Sequence, residues 1–293
     1  MPRTHTPGES VKIVRTVAAV RAAVGGWRAA REAVAFVPTM GNLHAGHVSL
    51  TELAAGVAQR VVASIFVNPT QFGPSEDFSA YPRTLEDDAA RLAAAGTVDL
   101  LFVPDDREIY PFGLEQAVRV TLPPLSRELC GASRPGHFEG VASVVCRLLN
   151  IVTPDLLVLG QKDYQQVVLL ERMITDLRLP VAVRVGATHR ESDGLALSSR
   201  NRYLDDAQRA RAPALHAALA QLRDAVRGGT TDYAALETEA RETLARAGLV
   251  PDYVEVRRAI DLARPKVDDL PRDLVVLAAA QLGRARLIDN LRI

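Results

Sequence analysis

Through the first two thirds of the chain, short apolar runs alternate with segments whose apolar residues recur at helical spacing. Ala33 to Pro38 is an apolar run stopped by proline, and Val48 to Arg60 follows with a helical pattern. Val61 to Val67 reads as a buried strand, Leu85 to Ala95 as a helix and Asp99 to Val103 as another strand. Val141 to Ile151 is a helix with an apolar face, and Leu156 to Leu159 is a strand. In Asp163 to Leu177, the positions Val167, Leu170, Ile174 and Leu177 mark one helical face, and Val181 to Val185 is a further strand. Such alternation predicts an α/β fold, a parallel sheet covered by helices on both faces.

The pattern changes after Ala187. Asp205 to Arg227 is a long alanine-rich helical stretch, interrupted or restarted at Pro213 and ended by Gly228 and Gly229. Tyr233 to Ala247 is a second helix. Tyr253 to Arg257, Leu274 to Ala279 and Arg286 to Asn290 then read as strands of a small sheet. Helices and strands are segregated here, which predicts a smaller α+β domain over residues 188–293, with the boundary near Thr188 and the parallel sheet within 1–187. A length of 293 residues agrees with two domains at ~150 residues each.

Composition narrows the function classes. With 48% hydrophobic and 24% charged residues the chain can bury a core. Lys+Arg and Asp+Glu both total 35, so there is no basic excess of the kind that drives nucleic-acid binding. No apolar stretch approaches ~20 residues, which predicts no membrane helix. Met1 to Ser10 is polar and reads as a loose tail, not an export signal. Cys130 and Cys146 form no metal spacing or disulfide framework; Cys146 sits in an apolar run and reads as core, and a reducing cytoplasm is the expected compartment. The only lysines are Lys12, Lys162 and Lys266.

No G-x-G-x-x-G follows the first strand, and neither a P-loop motif nor H-E-x-x-H occurs. The first strand leads instead into Pro38-Thr39-Met40-Gly41-Asn42-Leu43-His44-Ala45-Gly46-His47. Gly41 allows a tight turn and Gly46 a close backbone approach. His44 and His47 fall on one side of a helical turn, where backbone N–H groups and the helix dipole favour a polyphosphate. A histidine pair at this spacing also occurs as a mere helix start or a metal pair, but no nearby Cys, Asp or Glu completes a ligand set. Gly160-Gln161-Lys162-Asp163-Tyr164-Gln165-Gln166 lies at a strand end opening a helix. There Lys162 can meet phosphate, Asp163 can cap the helix or accept ribose hydroxyls, and Gln166 can carry substrate specificity.

Leu197-Ser198-Ser199-Arg200-Asn201-Arg202 offers two hydroxyls and arginine for phosphate near the domain boundary; alone, such a run is ordinarily a solvated loop. In Phe66-Val67-Asn68-Pro69-Thr70-Gln71-Phe72, Gln71 can read hydroxyls or a carboxylate, or serve only a turn. Gly73 to Pro82 reads as a mobile loop able to act as a lid.

Six stretches together, PTMGNLHAGH, SIFVNPTQF, YPRT, RPGHFEGV, GQKDYQQ and LSSRNRYL, give the chain a resemblance to the pantoate–β-alanine ligase family, from about Val11 to the C-terminus. That family belongs to the H-x-G-H nucleotidyltransferases. The resemblance implies a Rossmann-like ATP- and pantoate-binding domain followed by a C-terminal domain that closes over the active site. It implies that pantoate is adenylated by ATP with Mg²⁺, and that β-alanine then displaces AMP to give pantothenate. Carried onto this sequence, ATP is met by Met40, Gly41, Asn42, Leu43, His44, Ala45, Gly46 and His47, by Gly160, Gln161, Lys162 and Asp163, by His189 through its backbone, and by Leu197, Ser198, Ser199 and Arg200. His44, His47, Lys162, Ser198, Ser199 and Arg200 are the implied catalytic set, with His47 as proton donor. Gln71 and Gln166 would hold pantoate, Gln71 would lie near β-alanine, and Pro38, Met40, Val144 and Val145 would face the gem-dimethyl group. The resemblance leaves the protein's metal ligands unknown, and it implies a homodimer. Gln161 and His189 depart from residue types common in the family, without removing a catalytic group.

Two other readings compete. Another H-x-G-H adenylyltransferase with a phosphorylated acceptor would need extra cations, whereas Gln71 and Gln166 suit an uncharged polyol end. A silent nucleotide-binding module would be expected to have lost Lys162 or one of the two histidines, and all three are present.

Overall fold

The computed structural model describes residues 10–73, 78–79 and 81–293. Part of the lid segment, and all but the last residue of the N-terminal tail, lie outside the described residues. The described chain falls into two compact units, Met1–Gly160 with Leu169–Gly186, and Gln161–Val168 with Ala187–Ile293.

In the first unit the elements run β1 (Ile13–Val14), α1 (Val17–Ala29), β2 (Val34–Thr39), α2 (Ala45–Val57), β3 (Arg60–Ile65), α3 (Leu85–Ala95), β4 (Leu100–Phe102), α4 (Asp106–Ile109), α5 (Cys130–Ser133), α6 (His137–Val152) and β5 (Leu156–Gly160). Helix α7 (Tyr164–Asp176) and strand β6 (Ala182–Gly186) follow. The sheet is parallel, in the order β1-β4-β3-β2-β5-β6. Val34, Ala35, Phe36 and Val37 are wholly buried, as a central parallel strand covered on both faces requires. Alternate residues serve opposite faces: Ala35 and Val37 join Ala54 of α2 and Leu92 of α3 in one core cluster. Helix α6 packs against β2 and α1. Chain connections leave β2 and β5 in opposite directions, so their C-terminal ends form a switch point, where open α/β sheets place ligands.

Several expectations shift. Helix α2 begins at Ala45, not Val48, because His44 takes the N-cap position ahead of the apolar pattern. Helix α1 was not read from the sequence: Gly25 and Gly26 interrupt its pattern, yet Thr16 Oγ1 caps it by accepting the Ala19 N–H at 3.2 Å. Leu177 lies past the end of α7 and is 50% exposed. Cys146 is half-buried, not core.

In the second unit, α8 (Asp206–Arg211), α9 (Ala214–Arg227) and α10 (Tyr233–Arg246) precede β7 (Val250–Arg258), β8 (Leu274–Leu282) and β9 (Ala285–Arg292). Pro213 does restart the helix, occupying the N-cap position of α9. The strands form an antiparallel sheet with β8 central and buried from Leu274 to Ala280. Pro251 is tolerated because β7 is an edge strand, irregular between Pro251 and Tyr253. A single cut at Thr188 misses that Gln161–Val168 group with these later residues. Tyr164 there donates to the Ala259 carbonyl at 2.9 Å, and Asn290 of β9 bonds the preceding turn.

Candidate active site

In the first unit the site begins where β2 ends. Thr39 Oγ1 donates to the Ser64 carbonyl at 2.7 Å and accepts the Gly41 N–H at 3.2 Å. The chain turns through positive φ at Gly41 (82°) and Asn42 (50°). A Cβ on Gly41 would lie 3.0 Å from the Ile65 side chain and 3.1 Å from Asp88 Oδ2, so glycine is required on two counts. Asp88 of α3 is 1% exposed, and its carboxylate accepts the Asn42 and Leu43 N–H groups at 2.8 and 2.7 Å. Asp88 is not legible in the sequence, since an acidic residue in a helix's first turn carries no distinguishing local mark.

His44 N-caps α2, and Ala45, Gly46 and His47 make its first turn. The rings of His44 and His47 lie 4.1 Å apart between centroids. His47 Nδ1 accepts the backbone N–H of His44 at 3.3 Å, which leaves the ring proton on Nε2. The histidine is thus both a helix-start device and an Nε2–H donor beside a helix N-terminus.

Gln71 is buried, in a single helical turn Pro69–Gln71 that follows β3. Its Nε2 lies 2.9 Å from Met40 Sδ, and its Oε1 accepts from Asn68 Nδ2 at 3.1 Å. Asn68 is 1% exposed; it also donates to the Gly140 carbonyl at 3.2 Å and accepts from Tyr110 at 2.6 Å and Thr70 Oγ1 at 3.0 Å. Burial pushes the Tyr110 phenol up, so it stays a donor. With Asn68 so constrained, the Gln71 amide presents its N–H end. His137 Nδ1 donates to the Gln71 carbonyl at 2.9 Å while its Nε2 accepts from Arg134 at 2.8 Å. Val144 and Val145 are buried on α6, and Pro38 is half-buried at the end of β2. Asn68, Tyr110 and His137 carry no mark in the sequence that sets them apart, because each depends on one remote partner: Gly140 for Asn68, Asn68 for Tyr110 and the Gln71 carbonyl for His137. Gly160 closes β5.

In the second unit, Gln161, Lys162 and Asp163 form one helical turn, and Gln166 lies half-buried in α7. Lys162 and Ser198 share the lining of a cavity of ≈10 Å³, with Asn201, His216 and Asp289, about the size of one water. Ser198 caps the turn Ser199–Tyr203, its Oγ accepting the Arg200 N–H at 3.2 Å. Leu197 donates its N–H to the carbonyl of His189 at 2.9 Å, and the His189 side chain is exposed. Among the described residues, no group of three or more His, Cys, Asp or Glu is arranged to hold a metal.

A model of the pantoate-beta-alanine ligase family matches residues 12–292. The chain belongs to that family. Pantothenate synthetase from Thioalkalivibrio sulfidiphilus is 56% identical over 281 residues, covering 96% of this chain and 97% of that protein. The enzyme of the same name from Methylococcus capsulatus is 53% identical over 283 residues, covering 97% and 98%. The crystal structure of pantothenate synthetase from Thermus thermophilus superposes with a TM-score of 0.88 at 45% identity, covering 96% of this chain and 99% of that one. Pantoate-beta-alanine ligase from Francisella tularensis, solved with beta-gamma ATP and beta-alanine, gives a TM-score of 0.79 at 32% identity, covering 97% and 98%. The Rossmann-like parallel sheet and the small antiparallel C-terminal sheet agree with the fold expected from the sequence.

Proposed function

We propose that this enzyme joins pantoate to β-alanine at the expense of ATP, through a pantoyl adenylate. The observation that carries the reading is the His44/His47 pair at the α2 N-terminus, directly after the central strand, in a chain of the pantoate-beta-alanine ligase family. In the first step a pantoate carboxylate oxygen attacks the α-phosphorus, and the bond to the bridging oxygen breaks, releasing pyrophosphate. In the second the β-alanine amine attacks the acyl carbon, AMP leaves with the bonding electrons, and the amine loses its proton. No covalent enzyme nucleophile is needed, so catalysis rests on positioning and charge stabilisation.

His44 and His47 act on the departing pyrophosphate, with His47 Nε2–H as donor. Lys162 meets a phosphate as a point charge, and Ser198, Ser199 and Arg200 add hydrogen-bond donors. Asp163 accepts from ribose, and the His189 backbone serves adenine. Gln71 and Gln166 read pantoate without a like charge beside the anionic nucleophile, while Pro38, Met40, Val144 and Val145 line its gem-dimethyl group. Mg²⁺ would accompany the triphosphate, as a hard cation held largely by phosphate oxygens and water.

Two copies would form a homodimer in the cytoplasm. The apolar face of α6 does not support this, because Val141, Val144, Val145, Leu148 and Leu149 are buried within the chain. Support comes from Phe112 and Val118, 80% and 81% exposed beside a groove of ≈470 Å³. Sedimentation showing only monomer at micromolar concentration would count against it. The activity is tested by pantoate-dependent exchange of labelled pyrophosphate into ATP without β-alanine. Exchange is expected; exchange only after β-alanine is added, or ADP as product, would overturn the two-step reading.

A further inference from the structure

Asn290 of β9 is 1% exposed, and its side chain is spent entirely on the turn that carries Lys162. Its Nδ2 donates to the carbonyls of Gln161 and Lys162, both at 2.9 Å, and its Oδ1 accepts from Gln161 Nε2 at 3.2 Å. These bonds span more than 120 residues of sequence, so they are a tertiary clamp on a backbone turn, not part of a sheet ladder. Asn290 is itself held. Asp289 Oδ1 accepts the Asn290 N–H at 2.7 Å, and Asp289 makes a two-pronged bond to Arg190 at 2.6 and 2.8 Å. Arg190 also donates to the Gly194 carbonyl at 3.0 Å, within the hairpin that leads to Ser198. Rigid support of this kind is what a long, flexible lysine needs if its ammonium is to meet a phosphate at a fixed place.

We propose that Asn290 is a positioning residue for adenylation, fixing the Gln161–Lys162 backbone so that the Lys162 ammonium is placed for phosphate. The inference rests on the function proposed above. The test uses the full chain with Asn290→Ala and Asn290→Leu, the second keeping the branched shape while removing both donors and the acceptor. Pyrophosphate exchange should fall about 10–100-fold, chiefly in kcat, the scale of a small misplacement. The reaction of preformed pantoyl adenylate with β-alanine should stay close to wild type. A readout apart from turnover comes from acetylation of the three lysines, followed by mass spectrometry with and without ATP. ATP should protect Lys162 in the wild type and lose that protection in both variants, with Lys12 and Lys266 as internal references.

Wild-type exchange in either folded variant would overturn the proposal. So would equal loss of both half-reactions with Lys162 still protected, the mark of a merely structural role. If the wild-type chain shows no exchange, the activity reading falls, while protection of Lys162 still decides what Asn290 does.

Discussion

Asp88 Oδ1 accepts the backbone N–H of Leu43 at 2.7 Å, from a helix 45 residues further along the chain. The same carboxylate takes the Asn42 N–H, so the turn ahead of the two histidines is tied at consecutive residues. Asp88→Ala leaves both donors without this acceptor. It is expected to cost about 1–3 kcal/mol for each donor that stays buried, and to raise the KM for ATP. Urea denaturation with ATP-dependent kinetics checks both; an Asp88→Ala enzyme as stable as wild type would remove this role from the carboxylate.

His47→Ala should slow adenylate formation about 10²–10³-fold, the scale of losing one transition-state donor. Negative charge builds on the departing pyrophosphate, so an Nε2–H there acts more strongly on the transition state than on bound ATP. Single-turnover kinetics should show the β-alanine step spared, because pyrophosphate has already left. Equal slowing of both steps, with a lowered melting temperature, would mean that His47 only holds the α2 N-terminus.

Gly140 and Gly25 should respond oppositely to alanine. A Cβ on Gly140 would sit 2.3 Å from the Thr70 carbonyl oxygen and 2.7 Å from the Gln71 Cα, both backbone atoms that cannot swing aside. Gly140→Ala should cost at least about 1–3 kcal/mol and raise the KM for pantoate more than that for ATP, because it displaces Gln71. Gly25 lies inside α1 with nothing within 4 Å of its added Cβ. Gly25→Ala should be stabilising by up to about 1 kcal/mol, from helix propensity. Thermal melts of the two variants, with substrate titrations, separate these outcomes.

Asp289 makes a prediction for acid. Burial alone would push its carboxyl up, but His216 Nδ1 at 3.5 Å, the two hydrogen bonds from Arg190 and the Arg190 charge outweigh burial and hold it below the usual range. The stability this contributes is complete above the ordinary carboxylate pKa and disappears as pH falls through the lower native value. Asp289→Asn should therefore destabilise the protein at neutral pH, by about 3–5 kcal/mol if Arg190 is left without its partner. It should also flatten the acid side of the stability profile. Urea midpoints from neutral pH to pH 3 measure both, and an acid limb unchanged from wild type would exclude Asp289 as its source.

The order of elements was legible because strands and helices carry different periods: Leu85–Ala95 matches α3 residue for residue. The switch from alternating to segregated elements near Ala187 was legible for the same reason. The catalytic candidates were legible too, since His44, His47, Lys162 and Gln71 each stand at a strand end or helix start, and such positions are set by local glycine and proline placement. Helix α1 was not, because its glycines obscure the pattern while tertiary packing of Val20 and Val24 makes up for their low propensity.

What the sequence by itself determined is therefore the local layer: which segments are strands, where they end, and which reactive side chains stand at those ends. Only the tertiary structure decided what holds those side chains in place. Asp88 reaches Asn42 and Leu43, Asn68 reaches Gly140, His137 reaches Gln71, and Asn290 grips the Lys162 turn across more than 120 residues of sequence. Hydrogen-bond partners so far apart leave no periodicity in a single sequence. They become partners because folding buries backbone N–H and C=O groups that must then be satisfied, and whichever polar side chain the packing delivers does so.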